Sequence, residues 1–268
     1  MIIGAGPAGL ACALHLARLI QAHNRQHPEA PLSTENIYVL EKGRSLGAHQ
    51  LSGAVMDPRG LLELEPDFAA DSALGAIPVR DDALLLFFER GAARAPITPP
   101  PLHNHGNYII SVNRLAQWLG AKVEAAGVNV FTSFAGVELL FDGPRLVGVR
   151  TDDKGVGRDR RPKSNFEPGY DLKTPILVLA EGPRGSLTKD LVHRLKLDGL
   201  NPQVYGLGIK ELWDVQPGRI ATGYVAHTLG WPLGSTIYGG GWVYGMRGNR
   251  VSLGMVVALE YHDPLFDP

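Results

Sequence analysis

Apolar residues in the first part of the chain follow a strand, helix, strand pattern. A short apolar run at residues 1–3 leads into a glycine-rich turn, and a second run at residues 37–40 ends in Glu41. Between them, apolar residues recur with the 3.6-residue period of a helix at Leu10, Leu14, Ala17 and Leu19. Residues 1–42 therefore predict a βαβ unit, with the polar run 21–35 inserted before its second strand.

The middle of the chain mixes helical and strand patterns. Residues 43–67 predict a flexible loop and then a short amphipathic helix that Pro66 ends. A longer helix is predicted over 112–126, with Asn113 as its N-cap and with one apolar face formed by Leu115, Trp118, Leu119 and Val123. Strands are predicted at 83–89, 128–134, 136–141, 145–151 and 175–180, a helix at 186–195, and exposed loops at 95–102 and 152–169.

Beyond Asn201-Pro202 the pattern changes, because glycine and aromatic residues alternate within short strands and no further helical period occurs. The strands are predicted at 204–210, 223–228, 236–244 and 250–259. This spacing favours an antiparallel sheet over further βαβ units.

Composition restricts the classes of function. The 268 residues, 44% hydrophobic and 20% charged, are ordinary for a folded chain of one large or two modest domains. A net charge of −1 gives no broad basic field, so nucleic acid is not an expected partner. Cys12 is the only cysteine and cannot by itself form an internal disulfide or hold an iron–sulfur cluster. Every apolar run is far shorter than the ~20 residues that span a bilayer, and the amino terminus lacks the basic region of a signal peptide.

The turn Gly4-Ala5-Gly6-Pro7-Ala8-Gly9 has the spacing of a dinucleotide-binding motif. Gly4 allows the tight turn out of the strand, Gly6 lets the backbone approach a pyrophosphate, and Gly9 lets the helix lie close to the sheet. Free N–H groups at the helix N-terminus attract phosphate. The turn therefore predicts a nucleotide site.

Glu41 ends the next strand, where a carboxylate can accept the two hydroxyls of a ribose. The usual spacing from the glycines to this acid is about 20 residues, and the longer spacing here is explained by the insertion at 21–35. The alternative interpretation is a helix-capping turn followed by an unrelated surface acid.

A second glycine turn follows the apolar strand that ends at Ala180-Glu181-Gly182. Alone, it is explained equally well as a simple strand end. Together with the first turn it favours a two-part FAD site, since a strand of this kind brings backbone close to the cofactor in flavoproteins. A second G-x-G-x-x-G turn for a nicotinamide cofactor is absent from the sequence.

These residues resemble the electron-transfer flavoprotein–ubiquinone oxidoreductase family, from one end of the chain to the other. The opening motif is common to many flavoproteins, whereas the later stretches are specific. The matching stretches are 4–10, 40–42, 47–49, 51–53, 104–109, 180–182, 208–213, 227–228, 230–233, 238–240 and 253–257.

The resemblance implies an α/β fold, with a glutathione-reductase-type, Rossmann-like FAD-binding domain joined to an antiparallel β region for quinone. It implies an enzyme that passes electrons from reduced electron-transfer flavoprotein through FAD to ubiquinone. Besides the two glycine turns and Glu41, we expect cofactor contacts from Lys42, His49, Leu51, Ser52, Gly53 and Val137. A lining role is also considered for His49, His105 and His227, although a structural role is the simpler interpretation of each.

In the family a glycine pair after a tyrosine lies against the quinone head group, which here implies Gly239 and Gly240. Backbone N–H groups can hydrogen-bond a carbonyl that becomes anionic on reduction without a side chain filling the tunnel. The alternative is that these glycines only form a bend or bulge in a strand.

The family is monotopic, which implies a peripheral position on a bacterial or mitochondrial inner membrane. Its membrane-facing stretch corresponds to residues 46–67, whose apolar contribution is Leu51, Val55, Met56, Leu61, Leu62 and Leu64; core packing is the alternative. The family's 4Fe-4S cluster, and a later segment that caps the flavin, would belong to a carboxy-terminal portion, so the resemblance implies a truncated chain.

We therefore expect an incomplete FAD-binding domain at 1–43 and 77–202, and an incomplete quinone-binding, membrane-facing region at 44–76 and 203–268. Two other functions stay open. One is a related flavin-dependent reductase or monooxygenase, and the other is an inactive dinucleotide-binding fragment.

Overall fold

The structure of the chain, a computed structural model, describes residues 1–51, 53–263 and 265–267. The chain forms two compact units, each built from two segments. The first unit is Met1–Leu51 with Val112–Gly199, and the second is formed by the described residues of Ser52–Ser111 and Leu200–Pro268. The bounds differ from the expected division, since residues 77–111 lie in the second unit and residues 44–51 in the first.

The helices are α1 (Pro7–Gln26), α2 (Arg59–Leu64), α3 (Val112–Ala125) and α4 (Ser186–Leu195). Short 3-10 turns lie at Thr34–Asn36, Phe68–Ala70 and Pro100–Leu102. The strands are β1 (Ile2–Ile3), β2 (Tyr38–Glu41), β3 (Ala54–Met56), β4 (Ile77–Pro78), β5 (Asp81–Phe88), β6 (Gly91–Arg94), β7 (Tyr108–Ile110), β8 (Asn129–Thr132), β9 (Gly136–Asp142), β10 (Arg145–Thr151), β11 (Lys154–Val156), β12 (Pro162–Glu167), β13 (Asp171–Lys173), β14 (Val178–Leu179), β15 (Gly206–Asp214), β16 (Tyr224–Gly230), β17 (Gly239–Met246) and β18 (Arg250–Ala258).

In the first unit a parallel sheet has the order β14-β1-β2-β8. Adjacent residues of β1 point to opposite faces, and both faces are covered. Ile2 is buried together with the apolar face of α1, while Ile3 packs in a cluster with Leu139 and Val149 of the antiparallel sheet β13-β10-β9. Burial on both faces explains why these short strands read as continuous apolar runs.

Two polar segments of the first unit are more ordered than predicted. Helix α1 continues to Gln26 and so includes the start of the expected insertion. The Asn24 side chain exchanges two hydrogen bonds with the Leu32 backbone, each 2.8 Å long, and thereby holds the following loop against the helix. The expected exposed loop 152–169 contains the hairpin β11–β12.

In the second unit the larger sheet has the order β15-β18-β17-β16-β5-β6. Strands β15 to β18 pair antiparallel as predicted, and β16 pairs parallel with β5. A smaller sheet, β3-β7-β4, contributes Ile77 and Ile109 to a core that also contains Val225 and Tyr244 of the larger sheet. In the described part of the chain, no helix has both the length and the apolar character needed to cross a bilayer.

Candidate functional site

The first glycine turn connects β1 to α1 with an open helix N-terminus. Gly4 has φ +103°, and its N–H donates to the Leu40 carbonyl at 2.8 Å. Gly6 occupies the N-cap position and Pro7 begins the helix, with no acidic residue in the first turn and no capping side chain among the described residues. The positive end of the helix dipole therefore keeps the capacity to bind an anion.

The three motif glycines differ in what surrounds them. A Cβ at Gly4 would lie less than 3.0 Å from the Ala180 carbonyl, and a Cβ at Gly9 would lie less than 3.0 Å from the Gly4 carbonyl. Gly6 has an ordinary negative φ of −78°, and among the described residues its Cβ would meet only the Gln50 side-chain nitrogen, at 3.3 Å. Gly4 and Gly9 are thus required by the protein's own packing, whereas the space at Gly6 is available to a ligand.

Glu41 lies beside this turn, as its position at the strand end predicts. Its Oε2 accepts from the Ala5 N–H at 3.0 Å and its Oε1 accepts from the Gly43 N–H at 2.7 Å. The exposed His49 ring lies 3.8 Å from Oε1. A carboxylate offers about four acceptor sites, so Glu41 is fixed in place and still able to accept further hydroxyls.

The other residues expected near the cofactor are distributed over both units. Lys42 and Leu51 are exposed in the first unit, and Val137 is exposed on β9. Ser52 lies outside the described residues. Gly53 belongs to the second unit, where the position of a Cβ would lie 2.7 Å from Ser252 Oγ.

Asn113 was expected to cap α3, and this prediction is wrong. The helix begins at Val112, so Asn113 lies inside its first turn. Its side-chain nitrogen donates to the Gly47 carbonyl at 2.7 Å. Asn113 therefore anchors the loop that carries His49.

At the second glycine turn, the Ala180 N–H donates to the Ile3 carbonyl at 2.8 Å and continues the pairing of β14 with β1. Gly182 has φ +84°, and a Cβ there would meet no described atom within 4 Å. The Glu181 carboxylate accepts from the backbone N–H groups of Leu187 and Thr188 at 3.3 and 2.8 Å. In this structure Glu181 caps helix α4.

Gly239 and Gly240 lie in regular antiparallel register with Val257 and Val256 on β18, so they form neither a bend nor a bulge. A Cβ on Gly239 would lie less than 3.0 Å from the Val256 carbonyl, and one on Gly240 equally close to the Thr228 carbonyl. The sheet itself therefore requires both glycines, whatever binds there.

Sequence reasoning did not bring together a row of side chains on one face of the larger sheet. Trp242 pairs directly with His227 on one side and with Gly254 on the other, and Gly254 pairs with Lys210. Directly paired residues share a face. The alternation of residues along β17 indicates which side chains of that strand share a face. Which residues of β15 and β16 lie beside them is set by the strand register alone.

Burial shifts the titration of three groups near this row. It lowers the pKa of Lys210, and it lowers the pKa of His227, an effect that the Asp82 carboxylate opposes. Burial also raises the pKa of Tyr244 to about 12. His105, by contrast, is exposed, with its Nδ1 3.5 Å from Asp82 Oδ2.

A cavity of about 960 Å³ in the first unit is lined by residues that include Met1, Tyr38 and Ile176. These residues lie at the amino ends of the parallel strands. Nucleotides bind outside the carboxyl ends of such strands, where Gly4 and Glu41 lie, so this cavity is not the nucleotide site. Among the described residues, no group of three or more His, Cys, Asp or Glu side chains could hold a metal ion.

Comparison with solved structures gives the fold. The chain is similar to a geranylgeranyl bacteriochlorophyll reductase-like protein from Thermoplasma acidophilum (TM-score 0.59, 15% identity, 95% of this chain and 55% of the other). It is also similar to the myxobacterial chondrochloren halogenase, a variant of the FAD-dependent halogenases (TM-score 0.59, 19% identity, 97% and 52%). The mixed α/β fold is thus one found in FAD-dependent proteins.

Comparison with curated sequences is more specific. Residues 205–268 match the family model described as "ETF-QO, ubiquinone-binding". The whole chain is 41% identical to a probable electron transfer flavoprotein-ubiquinone oxidoreductase from Acinetobacter baylyi and 41% identical to the mitochondrial protein of that name from Dictyostelium discoideum. It covers 47% and 43% of those proteins. By sequence the chain is therefore similar to one part of the electron transfer flavoprotein-ubiquinone oxidoreductases, and it spans somewhat less than half of the length of these relatives.

Proposed function

We propose that this chain carries the nucleotide-binding and quinone-binding parts of an FAD-dependent oxidoreductase that passes electrons from reduced electron-transfer flavoprotein to ubiquinone. The observation that carries the proposal is the identity of about 40% along the entire chain to proteins of that name. The ubiquinone-binding match begins at Tyr205 and includes all of β15 to β18.

The first unit fits FAD. The uncapped N-terminus of α1 and the open space at Gly6 suit a pyrophosphate, and the fixed Glu41 carboxylate suits a ribose. We assign this unit to a glutathione-reductase-type, Rossmann-like domain. FAD bound there would supply the redox chemistry, accepting electrons from one partner and giving them to the other. The chain's residues would hold the nucleotide and exclude water from it.

The second unit fits a quinone beside Gly239 and Gly240. Both glycines are only partly buried, and a backbone N–H can hydrogen-bond the oxygen that gains charge on reduction. Electron transfer of this kind needs no nucleophile and no metal ligand from the chain. The 4Fe-4S cluster implied by the resemblance would need cysteines besides Cys12, and it is not part of this proposal.

We further propose a peripheral, monotopic position on a bacterial or mitochondrial inner membrane. Of the apolar residues expected to face lipid, Leu51 and Leu62 are exposed, at 62% and 43%. Leu64 is buried, and Val55 packs against the core around Ile109. Met56 and Leu61 are partly buried, so the exposed leucines are the residues of this stretch that are most accessible to lipid.

The test is to purify the chain, titrate it with FAD and follow flavin fluorescence, and then add reduced electron-transfer flavoprotein and a short-chain ubiquinone. We expect saturable FAD binding and oxidation of the donor that depends on quinone. Bleaching of the bound flavin by NAD(P)H would favour a related reductase or monooxygenase instead. A stable chain that takes up no FAD would favour an inactive dinucleotide-binding fragment.

A further inference from the structure

The His227 ring has two different nitrogens. Its Nδ1 is buried and has no hydrogen-bond partner among the described residues. Its Nε2 also has no hydrogen-bond partner among the described residues, and the histidine as a whole is only partly buried. One nitrogen is therefore enclosed in the second unit, and the other is not fully buried.

The surroundings of the His227 ring are partly packed and partly exposed. His227 contacts the Tyr244 ring edge-on, with 6.1 Å between ring centroids, and Tyr244 belongs to the packed core. Leu229 lies two residues further along β16 on the same face, and it is 41% exposed. His227 thus lies at the boundary between the covered and the uncovered half of this face.

The neighbouring Trp242 side chain leans away from His227. Its indole lies over Gly254 on β18, the side away from β16, and its Nε1 donates to Ser252 Oγ at 3.3 Å. Gly240 lies two residues before Trp242 and faces the same way. His227 and Gly240 are diagonal neighbours on adjacent strands, about 7–8 Å apart by ordinary sheet geometry.

The proton of the neutral ring belongs on Nε2. A buried N–H without an acceptor is the rarer and costlier arrangement, so the unpaired buried atom is best explained as a lone pair on Nδ1. Burial also lowers the pKa of His227, which keeps the ring neutral near pH 7. The accessible nitrogen is then a hydrogen-bond donor that carries no charge.

We propose that the Nε2–H of His227 donates a hydrogen bond to one carbonyl oxygen of a quinone ring that lies against Gly240, and so positions the ring on this face. The inference rests on the proposed quinone site and adds a named side chain to it. Trp242, leaning over Gly254, would form the wall next to the ring. His227 is a binding and positioning residue in this account, and no proton transfer is assigned to it.

The test compares His227→Leu, which removes the donor, with His227→Gln, which keeps an amide donor. The probe is ubiquinone with a single isoprene unit, and its binding to the 268-residue chain is followed by quenching of tryptophan fluorescence. We expect Kd to rise about tenfold for His227→Leu, as for loss of one hydrogen bond, and less than about threefold for His227→Gln. His262→Leu, at an exposed histidine of the same unit, is the matched control and should leave Kd unchanged.

A second measurement uses the unmutated chain, so it does not depend on how the variants fold. With ¹⁵N-labelled histidine, His227 should show the Nε2–H tautomer, and its Nε2 resonance should shift on addition of the quinone while that of His262 does not. An Nδ1–H tautomer, or equal Kd values for His227→Leu and the unmutated chain, would overturn the role of His227 and leave the quinone site standing. Failure of the unmutated chain to bind quinone while it binds FAD would overturn the quinone site and this inference with it.

Discussion

At the scale of single residues, the glycines of the first turn allow ligand binding to be separated from folding. A valine at position 6 has room within the described part of the protein, since its Cβ would meet only the Gln50 side chain there. We expect Gly6→Val to keep its unfolding free energy within about 1 kcal/mol, as for other changes at an N-cap. FAD affinity, measured by flavin fluorescence, should fall more than about tenfold because the side chain fills the space for the pyrophosphate.

The control for this experiment is Gly60→Val on helix α2, where a Cβ would meet no atom of the described residues within 4 Å. It should leave FAD affinity unchanged. Flavin binding that survives Gly6→Val at full affinity would show that the turn only begins a helix.

Gly240 behaves differently, because main-chain atoms of the neighbouring strand β16 lie where its side chain would begin. A valine there would press on the Thr228 carbonyl, and a backbone oxygen cannot move aside cheaply. We expect Gly240→Val to lower the unfolding free energy by ~2 kcal/mol or more, as overpacking does, in urea denaturation. Gly208→Val on edge strand β15, where the Cβ would lie 3.8 Å from Val256, should cost far less. Equal stability of the two variants would contradict the sheet geometry at β16 and β17.

At the scale of elements, Glu181 provides a test between a cofactor role and a capping role. Its carboxylate satisfies two backbone N–H groups at the start of α4 and also accepts from the Thr188 hydroxyl at 2.8 Å. We expect Glu181→Ala to lower the unfolding free energy by about 0.5–2 kcal/mol, the usual cost of losing a cap. Asp190→Ala, on the exposed side of the same helix, should change it by less than about 0.5 kcal/mol. A loss of FAD affinity without a loss of stability would favour the cofactor role.

The elements that the sequence predicts well are those whose own residues carry the signal. Helix α4 has the predicted bounds, and α3 differs by one residue, because an apolar face at helical spacing is a local property. Hairpin β11–β12 was missed because every residue of β12 is exposed, so its strand lacks the alternation that marks a half-buried strand.

The candidate site divides in the same way. The glycine turn and Glu41 were predictable, since a single βαβ unit fixes their relation along the chain. The row of Lys210, Trp242 and His227 was not, because three strand pairings set it and a shift of one residue would turn each side chain to the other face. The cap expected at Asn113 was wrong and the capping contacts of Glu181 were not predicted, because the partners of both side chains are loop and helix backbone groups whose positions only the fold determines.

At the scale of the whole molecule, the division into units depends on contacts far apart along the chain. Composition revealed the change near residue 200, which is a unit boundary, because the residue types alter there. It did not reveal that 77–111 joins the second unit. Strand β5 and the smaller sheet belong there because they pair and pack with segments more than 100 residues later, such as β16.

The stability of the whole chain should depend on pH through His227. Burial lowers the pKa of this histidine in the folded state below its unfolded value of about 6.5, so the unfolded chain binds more protons. The contribution of His227 to the unfolding free energy is therefore complete above about pH 6.5. It is lost as the pH falls through that value towards the folded pKa. We expect the unfolding free energy of the unmutated chain, relative to His227→Gln, to decrease between about pH 8 and pH 5. A difference between the two that stays constant over this range, measured in urea at each pH, would mean that folding does not shift the titration of His227.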